Sequence, residues 1–136
     1  MELNKKQKEK ARQQFEENIK NVEEEDVEYA AKKGKKIIDS MDNDPPGPLL
    51  KLWEDVKMMV SMLGDYVARN YTETPWKTIA AIAGAIAYFV MPVDAIPDFI
   101  PVAGYLDDSL VITLAVDFAR DDLKAYKVWK EANTTI

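Results

Sequence analysis

Four aspartates, Asp94, Asp98, Asp107 and Asp108, lie in an otherwise apolar stretch with no basic residue between Lys77 and Arg120. Carboxylates without local countercharge repel one another unless a cation or a proton intervenes. Gathered at one point, they would be hard oxygen ligands for Mg²⁺, Mn²⁺ or Ca²⁺, and the ion would then hold a phosphate-bearing ligand. The competing use is structural, with each aspartate accepting backbone hydrogen bonds as a turn or helix cap and no metal bound. Other chemistry is scarcer. The chain has no Cys and no His, which removes thiol nucleophiles, imidazole bases, Ser-His-Asp triads, Cys/His zinc sites and disulfides. No dedicated base or nucleophile remains, so the residues lean away from an enzyme and name no catalytic group and no organic cofactor.

The elements that position these carboxylates belong to a chain of 136 residues, enough for one domain or one domain with an arm. At 47% hydrophobic and 31% charged residues it has the material for a real core. Eighteen basic against 24 acidic residues give a net charge of −6, which argues against a nucleic-acid partner held by phosphate contacts. The first 40 residues carry ten of each sign, so the whole negative excess lies after them. Residues 1–12 contain no apolar run of the kind a signal peptide needs, so the cytoplasm is the expected compartment.

The first 25 residues are mostly Lys, Glu and Gln, with Phe15, Ile19 and Val22 as a narrow apolar stripe. That spacing predicts an exposed amphipathic helix, since a coiled-coil seam would need three or four heptads. A second helical stretch follows over 27–41, continuous with the first or separate from it, in which Gly34 is a mild weak point. Asp42 to Pro48, with three prolines and a glycine, ends it and separates a charged arm (1–44) from a helical core domain (45–136). Apolar residues at threes and fours from Leu49 to Asn70 predict a core-facing helix.

Thr74-Pro75 reads as an N-cap followed by proline at the first helical position, opening a helix to about Val90. From Ile79 to Val90 that helix has no solvent face, so protein, a partner or lipid must surround it. Its small residues Ala80, Ala81, Gly84 and Ala85 permit close approach of another helix. The uncharged run from Thr78 to Val93 is 16 residues, short of the roughly 18 to 20 that cross a bilayer. A last helix is expected from Asp107 to about Ala132, with Leu110, Leu114, Phe118, Ala125, Tyr126 and Trp129 facing inward. No segment alternates as a strand does. The fold class is therefore all-α, a small helical bundle in which a proline- and aspartate-rich loop connects two core helices.

That loop reads Pro92-x-Asp94-x-Ile96-Pro97-Asp98-x-Ile100-Pro101-x-x-Gly104-x-x-Asp107-Asp108. Its prolines forbid a regular helix, while Ile96, Phe99 and Ile100 are too apolar for a solvated loop. In order and spacing the pattern resembles the YkvA-like family, a domain of unknown function, over roughly residues 75–118. Met91 stands where that family more often has Ser or Asn, and Ala95 and Ala103 where it has bulkier apolar residues. The resemblance implies a compact helical hairpin found in bacterial proteins, sometimes beside membrane segments, and implies no activity.

Two further patterns dissolve on inspection. Asp42-Asn43-Asp44 imitates the start of a calcium loop, but Trp53 stands where the bidentate Glu belongs. Lys5, Lys6, Lys8, Lys10 and Arg12 would favour an anionic membrane surface, offset by the acids from Glu16 onward. The expected function is a non-enzymatic interaction module that holds a protein partner or a second copy. Peripheral or partial membrane association through helix 75–90 and Phe99-Ile100 is the alternative, and the divalent-metal site is a further one.

Overall fold

The computed structural model describes residues 5–45, 47–90 and 108–134. Among them every regular element is helical: α1 Lys5–Asn18, α2 Glu24–Met41, α3 Trp53–Val67, α4 Trp76–Val90 and α5 Asp108–Thr134. The all-α bundle expected from the periodicity is the architecture found.

Residues α1 and α2 are not one helix. A 3₁₀ turn over Ile19–Asn21 separates them, and α2 restarts where the Glu23 N–H donates to the Asp26 carboxylate at 2.8 Å. Glu24, Glu25 and Asp26 fill its first turn, where negative charge meets the positive end of the helix dipole. The break lets the apolar stripe turn inward. Phe15, Ile19 and Val22 are at most 4% exposed and share one core with α3, α4 and α5, so the exposed-helix reading of that stripe gives way to a docked one.

The proline-rich turn stops α2 at Met41 as expected. The helix read from Leu49 begins later, because Gly47–Leu52 forms 3₁₀ turns and α3 proper opens at Trp53. Asp42, in the turn that mimics a calcium loop, instead accepts a hydrogen bond from Trp53 Nε1 at 2.8 Å and an ion pair from Lys57 at 3.3 Å. α3 closes in a Schellman arrangement: the Asn70 N–H reaches the Asp65 carbonyl at 2.8 Å and the Arg69 N–H that of Tyr66 at 3.1 Å. Arg69 takes the left-handed conformation there, with φ 63°.

α4 is the central helix. Its residues from Thr78 to Ala87 are all buried, and α2, α3 and α5 pack around it. From Thr78 to Ala87 the surroundings of this apolar helix are therefore protein. The Pro75 carbonyl takes the first hydrogen bonds, from the Thr78 and Ile79 N–H groups at 3.0 and 3.1 Å. Pro75 thus sits one position before the helix rather than at its first residue, and the buried Thr74 hydroxyl, read as the cap, has no hydrogen-bond partner among the described residues.

Contacts fix the directions. Asp42 meets Trp53 while Glu24 and Glu28 sit beside Tyr66 and Val67, so α2 and α3 are antiparallel. Thr78 bonds Asp122, and Tyr71, before α4, packs on Tyr126 and Trp129, beyond Asp122. That makes α4 and α5 an antiparallel pair, joined in sequence by the proline–aspartate segment. Gly34 sits at a tight crossing: a Cβ there would lie 2.9 Å from Val60 Cγ2 and 3.1 Å from Ile86 Cγ2. What reads as a weak point in the sequence is a place where α2 packs directly against α3 and α4.

Candidate functional site

The segment that carries the sequence motif is bracketed by α4 and α5. Pro92, Asp94, Ile96, Pro97, Asp98, Ile100, Pro101, Gly104 and Asp107 lie outside the described residues, and Asp108 is the first residue of α5. Among the described residues no three acidic side chains come together in a way that would hold a metal ion. Asp117, the remaining aspartate of the base-poor stretch, has a countercharge one turn on, in an ion pair with Arg120 at 2.5 Å.

The polar chemistry that the described residues do assemble lies between α3 and α5. The Tyr126 hydroxyl donates to Asp65 Oδ2, and Lys130 Nζ reaches the same oxygen at 3.0 Å. Asn70 Nδ2 donates to Oδ1 at 3.3 Å, and Ser61 Oγ lies 2.5 Å from the Tyr126 hydroxyl. Tyr71 meets Tyr126 edge-on with centroids 5.2 Å apart and lies 4.9 Å from Trp129. Ser61 and Asp65 are four apart on α3, as Tyr126 and Lys130 are on α5. Two polar pairs thus face each other across parallel helices.

Electrostatics show what this cluster can do. Burial pushes the Asp65 carboxyl up, but the hydrogen bonds from Tyr126, Lys130 and Asn70 outweigh it and hold the group below its ordinary 3.8. Burial, then the bond to Asp65, pushes the Tyr126 phenol far above its ordinary 10.0. A general acid or base works best with a pKa near the operating pH, and both groups move away from neutrality. The pair is an interhelix lock. Thr78, also buried, is a second one, donating to Asp122 Oδ2 at 2.6 Å and tying α4 to α5.

Of these groups, sequence reading places only Tyr126 on an inward face. Asp65, Ser61, Lys130, Thr78 and Asp122 are missed. Their four-residue spacing beside an apolar stripe is visible, but its meaning depends on which helices are neighbours. The inward face of α5 is also rotated from the expected one: Val111, Ile112, Ala115, Ala119 and Leu123 are buried with Tyr126, Leu114, Phe118 and Trp129 are partly buried, and Ala125 is exposed.

No helix among the described residues is long and apolar enough to cross a membrane. The model of the family described as "Protein of unknown function (DUF1232)" matches residues 78–114, from the first turn of α4 to the second turn of α5. The chain is also 32% identical over 80 residues to the "Uncharacterized membrane protein YkvA" of Bacillus subtilis (strain 168), covering 59% of this chain and 76% of that protein. No solved structure matches it. Motif and family model converge on residues spanning α4 to α5, and with this relative they show that the chain belongs to this YkvA-like family of unknown function.

Proposed function

We propose that the chain is a non-enzymatic helical module that associates peripherally with a membrane. The observation that carries this reading is the burial of α4. The one helix apolar enough to suggest lipid is enclosed by α2, α3 and α5, while a relative is named a membrane protein. Membrane contact made by this chain then falls to its surface. The test is flotation of the purified protein with vesicles, followed by a high-salt wash. Co-flotation that salt reverses supports the reading, and protein that stays at the bottom of the gradient with every vesicle overturns it.

A second reading is a scaffold for a protein partner or a second copy of the chain. It is favoured by the Asp65–Tyr126 and Thr78–Asp122 bonds, which commit buried polar groups to rigidity. Sedimentation of the pure protein over a range of concentrations tests the self-associating form, for which a mass above that of one chain is expected.

A further inference from the structure

We infer that the face formed by α1 and the start of α4 docks on an anionic lipid bilayer. The inference rests on the peripheral-membrane reading and names the surface that performs it. Trp76 is 40% exposed at the first position of α4, although most of the large apolar side chains described are in the core. It lines a groove of about 620 Å³ with Ile19, Ala80 and the half-buried Phe118 as its apolar part, and with Lys20 and Lys77 beside it. Gln13 borders this groove and also a second one lined by Lys5, Lys6 and Lys10. The apolar patch and the basic row therefore adjoin on one side of α1, so the lysines that the sequence alone leaves offset by the acids from Glu16 onward are joined here by Lys77 and Trp76 of α4.

The charge on this side is opposite to that of the chain. Around the two grooves stand five lysines, Lys5, Lys6, Lys10, Lys20 and Lys77, against the three glutamates Glu9, Glu16 and Glu17, in a protein of net charge −6. Lys20 is paired with Glu17 and Arg12 with Glu9, both at 3.2 Å in exposed one-turn pairs. Such pairs are weak and screened, so phosphate groups compete for these cations readily. An acidic protein is repelled by an anionic membrane in most orientations and attracted only where its bases are collected. A tryptophan with one side in a groove and the other in water suits the headgroup boundary.

The experiment is flotation of the full chain with neutral phosphatidylcholine vesicles and with vesicles containing phosphatidylserine. The wild type is compared with a Lys5→Gln, Lys6→Gln, Lys10→Gln, Lys77→Gln variant and with Trp76→Ala. All the altered side chains are exposed, and unchanged thermal melts establish that the variants fold. We expect the wild type to float with the phosphatidylserine vesicles alone, and its bound fraction to fall at least roughly tenfold in the lysine variant. A blue shift of tryptophan emission on binding should be lost in Trp76→Ala. Equal flotation of wild type and lysine variant, or equal binding to neutral vesicles, overturns this face and leaves the peripheral-membrane reading standing. A wild type that floats with neither vesicle overturns both.

Discussion

The Tyr126 hydroxyl of α5 donates to the Asp65 carboxylate of α3, 61 positions earlier in the chain. Asp65 also gives its backbone carbonyl to the Asn70 and Tyr71 N–H groups that close α3. One residue thus ends a helix with its main chain and joins two helices with its side chain. A hydrogen bond to a charged group contributes about 1.5–3 kcal/mol. Lys130 and Asn70 stay with Asp65 when the phenol is removed, so Tyr126→Phe should cost about 1.5 kcal/mol, near the low end of that range. Denaturant unfolding measures it, and a cycle with Asp65→Asn isolates the coupling.

The same pair sets the pH limits of stability. Asp65 has a lowered pKa in the fold, so its contribution is present above the unfolded value of about 4 and is lost as pH falls through the folded one. Tyr126 is raised from 10.0, so its contribution is complete below about pH 10 and is lost at higher pH, where the unfolded phenol ionises first. Urea midpoints should fall as pH drops below about 4 and again as it rises above about 10. Asp65→Asn should flatten the acid limb, and Tyr126→Phe the alkaline one.

Gly34→Ala sets two effects against each other. Alanine gains up to about 1 kcal/mol of helix propensity in a helix interior. The new methyl, however, would stand 2.9 Å from a branch of Val60 and 3.1 Å from one of Ile86. These are short, stiff side chains in a packed core, and overpacking of this kind costs about 1–3 kcal/mol. The steric effect should win by about 1 kcal/mol, which a lower urea midpoint would register.

Arg69→Gly should act in the opposite direction. A left-handed conformation costs an L-residue about 1–2 kcal/mol, and glycine adopts it without that strain while losing about 0.5–1 kcal/mol through unfolded-state entropy. Arg69 is exposed and occupies the position where a Schellman cap ordinarily has glycine. The substitution should raise stability by about 0.5 kcal/mol, read as a higher melting midpoint.

How far these features can be read in advance depends on what they rest on. Helix existence follows from local spacing, and α3, α4 and α5 are legible to within a few residues. Burial depends on partners. Phe15, Ile19 and Val22 form too short a stripe to predict docking, and only the 3₁₀ turn at Ile19 shows how they reach the core. Gly34 is weak as an isolated helical residue and necessary at a crossing with Val60 and Ile86. Asp65 and Tyr126 are each ordinary in sequence, and become a lock only because α3 and α5 run side by side in parallel. The motif from Pro92 to Asp107 is the reverse case, the most legible part of the sequence and outside the described residues.

For that motif the choice between metal site and turn caps rests on stability. An ion that binds only the folded state and is present at 100 times its Kd adds about 2.7 kcal/mol, which moves a melting midpoint by several degrees. Aspartates that cap turns have no such requirement, because their hydrogen bonds are to the chain's own N–H groups. Three prolines in this segment disfavour a regular helix, so from sequence alone capping is the use expected of Asp94, Asp98, Asp107 and Asp108. Melts in EDTA and in millimolar Mg²⁺, Mn²⁺ or Ca²⁺ should then coincide, while Asp94→Asn lowers the midpoint equally in all four. A shift produced by one ion and abolished by Asp98→Asn would instead establish a cation site, and the phosphate-bearing ligand it implies would become the next object of search.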